Sequence, residues 1–415
     1  MAPLRLVGLS SLALAAAGLA GLSMHGGVLS SSTPAAARGR LLVDAAYGQS
    51  NATQSYSGVV TRAAARAADA TLITAITGPA GGTQRTAPLK ADAPLGGWAA
   101  VAARDRPGAA LVFVAGGQPG TSIAVRGPDS TPYALFHKAL TGAGGAVRYI
   151  YWIDGESDRG RGAAYQRGVL RTIEALDATA ATRPKRYVFT PVGWTKGSDA
   201  ATDDARRAQA ELAFRHPDRI VIGSWSNDLP HRVVRGQLDL VHLSPDGNAI
   251  AWRRRAMMAS FLDRRSPYHL AGPRLRAAAR RGADAVDVSF DLETLDRLAL
   301  RNAGAGGDYA GGLRFARAGD PGFTAKLRPV AATVLPPAHG RQTIRFRFAP
   351  GQAAGPILVG GPAGSRPFNP AADPAIDADL AGRAVMVVGI HAGEAPVAVQ
   401  PYFDFASGQD YLTAG

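Results

Sequence analysis

Leu41-Leu42-Val43-Asp44-Ala45-Ala46-Tyr47-Gly48-Gln49-Ser50-Asn51 sets a short, mostly apolar run directly against a turn. A run of this length, bounded by Gly and small polar residues, predicts a buried strand over 41–46 that ends in Tyr47-Gly48-Gln49-Ser50. The same pattern recurs along the chain. Residues 110–115 run into Gly116-Gly117, 147–153 into Asp154-Gly155, 187–192 into Gly193, and 219–222 into Gly223. Between them, 132–140, 163–176 and 201–214 carry helical spacing. Strands alternating with helices predict a parallel sheet covered on both faces, a three-layer α/β/α arrangement. In such sheets the functional site forms at the carboxyl ends of the strands, and the polar clusters of this sequence lie at those ends.

Ser244-Pro245-Asp246 reads as a helix start: Ser can cap, Pro suits the first helical position, and Asp favours the positive end of the helix dipole. The helix is expected to run to about 262 and close the α/β part. Beyond Pro267 the pattern changes. Segments 285–292, 313–316, 330–335, 343–348, 356–360, 383–390 and 396–403 read as strands between Gly/Pro turns, with only a turn expected at 292–301. This predicts a second, all-β, sandwich-like domain. The expected organisation is 1–37, 38–266 and 267–415.

The chain has 415 residues, 46% hydrophobic and 19% charged, enough to bury a core across two domains. It has no Cys, which excludes disulfides, a thiol nucleophile and thiolate metal sites. The formal net charge is +14, and all but five of the 46 basic residues are Arg. That balance permits contact with an anionic cell-surface polymer. Nucleic acid is not expected, because no long basic run interleaved with aromatics occurs. Residues 6–22 form an apolar stretch behind Arg5, with Ala35-Ala36-Ala37 as a cleavage site. This reads as an export signal, with an uncleaved anchor as the alternative. The expected location is periplasmic or secreted, without a multi-span membrane domain.

Three blocks carry chemistry. Gly48-Gln49-Ser50-Asn51 places a serine in a strand-to-helix turn. Gly116-Gly117-Gln118-Pro119-Gly120-Thr121-Ser122-Ile123 is a turn able to present a backbone N–H to an oxyanion. Asp239-Leu240-Val241-His242 sets a carboxylate three residues from an imidazole, where it can fix the tautomer of a general base. Read singly, Ser50 reads as a helix cap, His242 as a core or loop histidine and Asp239 as a surface turn residue; only together, in this order, do they read as a catalytic set. The other histidines lack metal-ligand spacing, so neither a metal nor a cofactor is expected. Glu156 and Asp158 are too close along one segment to flank a glycosidic bond. Trp152, Trp194 and Trp225 near strand ends are candidates for sugar stacking or for core.

Taken in order, these blocks and Asp154-Gly155-Glu156-Ser157-Asp158 resemble the SGNH hydrolases, and more narrowly the carbohydrate acetylesterase branch that includes sialate O-acetylesterases. The resemblance covers roughly 40–265 and implies a flavodoxin-like sheet and a carboxylic ester hydrolase. It implies Ser50 as nucleophile, His242 as base and Asp239 as orienting acid. The N–H groups of Ser50 and Gly120 would form the oxyanion hole, and Gln49, Asn51 and Glu156 would lie against substrate. Glu156 is read as holding the neighbouring loops together rather than as transferring protons. Relatives carry Gln at the position of Asp154. An ionised Asp donates nothing there, so the third oxyanion donor is left open.

The expected function is an exported esterase removing O-acetyl groups from an acetylated glycan through an acyl-enzyme. The alternatives are a carbohydrate-binding or surface protein with a weak or inactive hydrolase domain, and an O-acetyltransferase using the same three residues.

Overall fold

In the computed structural model, the residues described are 41–53, 59–60, 70–78, 81–90, 92–193, 199–226, 228–235, 237–302, 313–325, 327–361, 385–400, 402–405, 407 and 409–415. The export segment expected at 1–37 and Trp194 lie outside them. Among the described residues, no helix is long and apolar enough to cross a membrane.

The first half runs β1 (Leu41–Gly48), α1 (Ser50–Thr53), β2 (Ala70–Gly78), β3 (Gly81–Pro88), α2 (Gly96–Asp105), β4 (Ala110–Gly117), α3 (Thr131–Gly142), β5 (Val147–Ile153), α4 (Gly162–Asp177), β6 (Arg186–Phe189), α5 (Asp199–Arg215), β7 (Ile220–Ile222), β8 (His231–Val234), β9 (Gln237–Leu243) and α6 (Pro245–Leu262). Seven strands form one sheet in the order β3-β2-β4-β1-β5-β6-β7. All neighbours are parallel except β3, which pairs antiparallel with β2. One face packs Trp98 of α2 and Trp252 and Met257 of α6 against Phe113 and Tyr151. The other packs Phe136 of α3, Val169 and Ile173 of α4, and Leu212 of α5 against Val114, Ile150 and Trp152. Strands covered on both faces read as continuous apolar runs, which is why β5 is buried along its whole length.

β1 is the switch point, because β2, β3 and β4 lie on one side of it and β5, β6 and β7, which follow in the chain, lie on the other. The crevice outside its carboxyl end is where ligands bind in such sheets, and Ser50 begins α1 there. Within β1, Asp44 is fully buried and accepts from Trp98 Nε1 at 2.7 Å and from Arg148 Nε and Nη2 at 2.9 and 2.6 Å. The expected cap also forms: Ser244 Oγ accepts the Gly247 N–H at 3.0 Å, with Pro245 opening α6.

The second half comprises β10 (Arg274–Arg280), β11 (Ala285–Asp291), β12 (Arg297–Asn302), β13 (Arg314–Arg317), β14 (Ala331–Val334), β15 (Arg341–Arg347), β16 (Ile357–Gly360), β17 (Val385–Ile390), β18 (Val397–Ala398) and β19 (Tyr411–Ala414). They form sheets β10-β11-β15-β14, β12-β17-β18 and β13-β16-β19, with every pair antiparallel. All three sheets face a common core of Val288, Leu300, Phe315, Phe346, Val359 and Val387. This is the all-β, sandwich-like architecture expected there. A strand, β12, replaces the turn expected at 292–301.

Packing crosses the change of architecture. Leu270, Ala271, Leu295 and Val397 belong to the same buried cluster as Trp252. The Arg254 guanidinium of α6, 2% exposed, binds Asp228 at 2.9 and 2.6 Å and the Pro396 carbonyl at 2.5 Å. Asp228 also accepts the Ala398 N–H at 3.1 Å. Arg40–Gly415 form one compact unit.

Candidate active site

Two glycines bring the strand ends close enough to build a site. A Cβ on Gly117, where φ is +128°, would lie 1.8 Å from the Gly48 carbonyl oxygen. One on Gly48 would lie 1.9 Å from the Ile153 carbonyl oxygen. Any larger residue would separate β1 from its neighbours at the end where the chain turns. Backbone bonds lock the turn: Gln49 N–H donates to Ile153 O at 3.2 Å, and Gln118 N–H to Gly48 O at 3.2 Å. Ser50 follows at the head of α1 and is 7% exposed.

The Asp239–His242 block lies on the hairpin formed by β8 and β9. His231 pairs with Leu243 and Val233 with Leu238, so Arg232 alone on β8 stands opposite the four residues from Asp239 to His242. The excess residues form a bulge, and bulges re-aim side chains. Asp239 Oδ1 accepts the N–H groups of Val241 and His242 at 3.0 and 3.2 Å. Its Oδ2 lies 2.9 Å from His242 Nδ1 and 2.5 Å from Arg232 Nε. Partial burial opposes ionisation of Asp239, but the Val241 N–H, the Arg232 guanidinium and His242 outweigh it and hold the carboxyl well below the usual range. His242 Nε2 is buried without a hydrogen-bond partner.

Gln49, Asn51 and Glu156, expected to contact substrate, bind one another. Gln49 Nε2 and Asn51 Nδ2 both donate to the Glu156 carboxylate, the latter at 2.7 Å, and Asn51 Nδ2 also reaches the Val241 carbonyl at 3.1 Å. Glu156 is therefore the brace among the loops after β1, β5 and within β9. Burial raises its carboxyl above the ordinary range, opposed by the amides of Asn51 and Gln49. Behind the brace lies a cavity with room for a water molecule, lined by Asn51, Glu156, His231, Val241 and Arg255 among others.

Asp154, at the place left open for a third oxyanion donor, has both carboxylate oxygens engaged in the interior. Its Oδ1 accepts from Tyr165 OH at 2.7 Å and Trp152 Nε1 at 2.9 Å, and its Oδ2 pairs with Arg126 at 2.8 Å, both side chains fully buried. The carboxylate is turned into the interior because Arg126 needs a counter-charge there. Arg126 also donates to the Thr121 carbonyl at 3.3 Å, and Asp158 accepts the Ile123 N–H at 3.0 Å. These two residues hold the loop that carries Gly120, where φ is +69°. Burial and the neighbouring Asp154 raise the Asp158 carboxyl to about 6.

Arg126 and Arg232 are the residues that sequence reading missed. Nothing local marks Arg126. The Val233-Val234-Arg235-Gly236 run before Gln237 is a hairpin-turn signal that would have set Arg232 opposite the Asp239 block. Trp152 and Trp225 are fully buried and belong to the core. Among the described residues, no group of three or more His, Cys, Asp or Glu could hold a metal ion.

No family model matches the chain, and no curated protein does. Solved structures similar to it include a carbohydrate acetylesterase from Xanthomonas citri, at 15% identity and TM-score 0.49, covering 76% of this chain and 74% of that one. A carbohydrate acetylesterase from Sinorhizobium meliloti is similar at 12% identity and TM-score 0.32, covering 53% and 99%. A member of the lipolytic G-D-S-L family from Veillonella parvula is similar at 11% and TM-score 0.31, covering 53% and 98%.

Proposed function

We propose that the chain is an exported serine esterase of SGNH type that removes O-acetyl groups from a carbohydrate. The observation that carries this reading is the Asp239–His242 pair with its unpartnered Nε2. It sits on a loop bonded through Val241 to the residue after Ser50. Asp239 accepts a hydrogen bond from Nδ1–H, which leaves the Nε2 lone pair to take the Ser50 proton as Oγ attacks the acetyl carbonyl. The N–H groups of Ser50 and Gly120 receive the oxyanion. Collapse releases the sugar hydroxyl, which takes the proton back from Nε2. Water, deprotonated by Nε2 of His242, then attacks the acetyl-enzyme. The bond from the acetyl carbon to Ser50 Oγ breaks, Oγ takes that proton back from Nε2, and acetate leaves after ionisation of the acetic acid.

The inactive alternative drew its support from Asp154. With that carboxylate bound to Arg126, Trp152 and Tyr165, no repulsive charge faces the oxyanion from this residue. The test is acetate release from a panel of acetylated glycans by the parent protein and by Ser50→Ala. Release that falls at least about a hundredfold in the variant supports the reading. Equal release by both overturns it.

A further inference from the structure

Nδ1 of His242 is faced by two groups of opposite demand. Asp239 Oδ2, at 2.9 Å, can only accept a proton from it. Arg232 Nη2, at 3.0 Å, can only donate to it. The two contacts therefore select different tautomers. With the proton on Nδ1, the imidazole bonds to Asp239 and Nε2 has a lone pair. With the proton on Nε2, the imidazole accepts from Arg232 and has no lone pair where the serine proton must go. We propose that Arg232 is a positioning residue that competes with Asp239 for Nδ1 of His242 and thereby limits the fraction of imidazole able to act as base. The proposal rests on the reading of His242 as the base of a serine esterase.

The guanidinium acts in one further way, in the same direction. It shares Oδ2 of Asp239 with the imidazole, through Nε at 2.5 Å, so less of the carboxylate is available to the Nδ1 proton. Asp239 does not depend on Arg232 for its place, because its Oδ1 is held by the N–H groups of Val241 and His242. The Arg232 side chain is 41% exposed, so it is reached from solvent, unlike the fully buried Arg126. Of the neighbouring ionisable groups, Glu156 is bound by the Gln49 and Asn51 amides. His231 on β8 bonds the Asp239 carbonyl at 2.9 Å and is kept neutral by burial, its pKa lowered to about 4. α1 carries no ionisable side chain. α6 brings Asp246 in its first turn and Arg255, whose Nε is held by Thr190 at 2.9 Å.

The test is kcat and KM on a neutral acetyl ester for the parent and Arg232→Gln, with dependence on Ser50 established first. Arg232→Gln is expected to raise kcat with KM little changed, because more of the imidazole then carries its proton on Nδ1. A kcat equal to or below the parent's overturns the proposal and leaves the esterase reading intact. Activity independent of Ser50 would instead overturn the esterase reading. Nitrogen-15 NMR of the parent, labelled at histidine, is independent of activity and of the variant's folding. It should show neutral His242 with a sizeable population protonated at Nε2. Neutral His242 protonated at Nδ1 alone overturns the competition.

Discussion

The Asn51 amide donates to the Val241 carbonyl at 3.1 Å and to Glu156 at 2.7 Å. Asn51 and Val241 are the chain neighbours of Ser50 and His242, so one side chain ties the nucleophile turn to the base loop. Glu156→Ala removes the carboxylate that holds the Gln49 and Asn51 amides and loosens that tie, leaving Asn51 with the Val241 carbonyl alone. A misplacement near 1 Å costs roughly a hundredfold, so kcat on an acetyl ester is expected to fall about that far with KM little changed. A fall in KM-controlled binding alone would show that Glu156 contacts substrate.

Asp154 leads to a different expectation from structure than from sequence. In the sequence, a Gln at this position restores a neutral oxyanion donor, so Asp154→Gln is expected to keep or raise kcat. In the structure, the substitution strips the buried Arg126 of its counter-charge. Breaking such a pair on one side costs about 3–5 kcal/mol. Urea unfolding of Asp154→Gln should show a loss of this size. A midpoint equal to the parent's would mean that Arg126 is compensated elsewhere.

Burial, with a smaller contribution from Arg274, lowers His269 to about 4. Its protonation therefore favours the unfolded chain. The stability it contributes is complete above the ordinary histidine value of about 6.5 and is lost as pH falls toward 4, at most about 3 kcal/mol. Asp158, raised to about 6, works in the opposite direction between about 4 and 6, so the informative quantity is a difference. In His269→Asn, Oδ1 can replace Nδ1 as acceptor of the Ala271 N–H, found at 3.2 Å. This variant should lose less stability than the parent between pH 7 and pH 5. Parallel curves would rule out His269 as a source of the slope.

Asp228→Asn tests how firmly the β-rich part is joined to α6. The substitution leaves the buried Arg254 guanidinium with neutral acceptors only, the Pro396 and Trp225 carbonyls among them, and weakens the bond from Ala398. A cost of about 3–5 kcal/mol is expected, expressed in one unfolding transition, because Trp252, Leu270 and Val397 share a core. Two separate transitions would mean that the parts unfold independently.

The parallel core of the sheet was legible because β1, β4 and β5 are apolar runs closed by glycine or Asp-Gly. β5 matches its expected bounds of 147–153. β2 and β3 were not legible: β3 reads GGTQRTAP, a polar edge segment without an apolar face. α2 opens on Gly96-Gly97, which reads as a loop, yet Gly97 allows α2 to approach the Ala249 carbonyl of α6. The Ser50, Asp239 and His242 candidates were legible from short blocks at strand ends. What escaped were partners brought by tertiary packing: Arg126, which gives Asp154 its direction, and Arg232, placed opposite Asp239–His242 by the bulge. The odd residue at 154 was visible in the sequence, but the cation that accounts for it was not.

The most direct measurement is covalent capture. The folded protein is treated with a fluorophosphonate, which phosphonylates an activated serine hydroxyl with loss of fluoride, and the adduct is located by peptide mapping. The account predicts a single adduct on Ser50, absent from Ser50→Ala and strongly slowed in Asp239→Asn, where the imidazole loses its tautomer control. An adduct on another residue, or none on protein that releases acetate from an acetylated glycan, would contradict it.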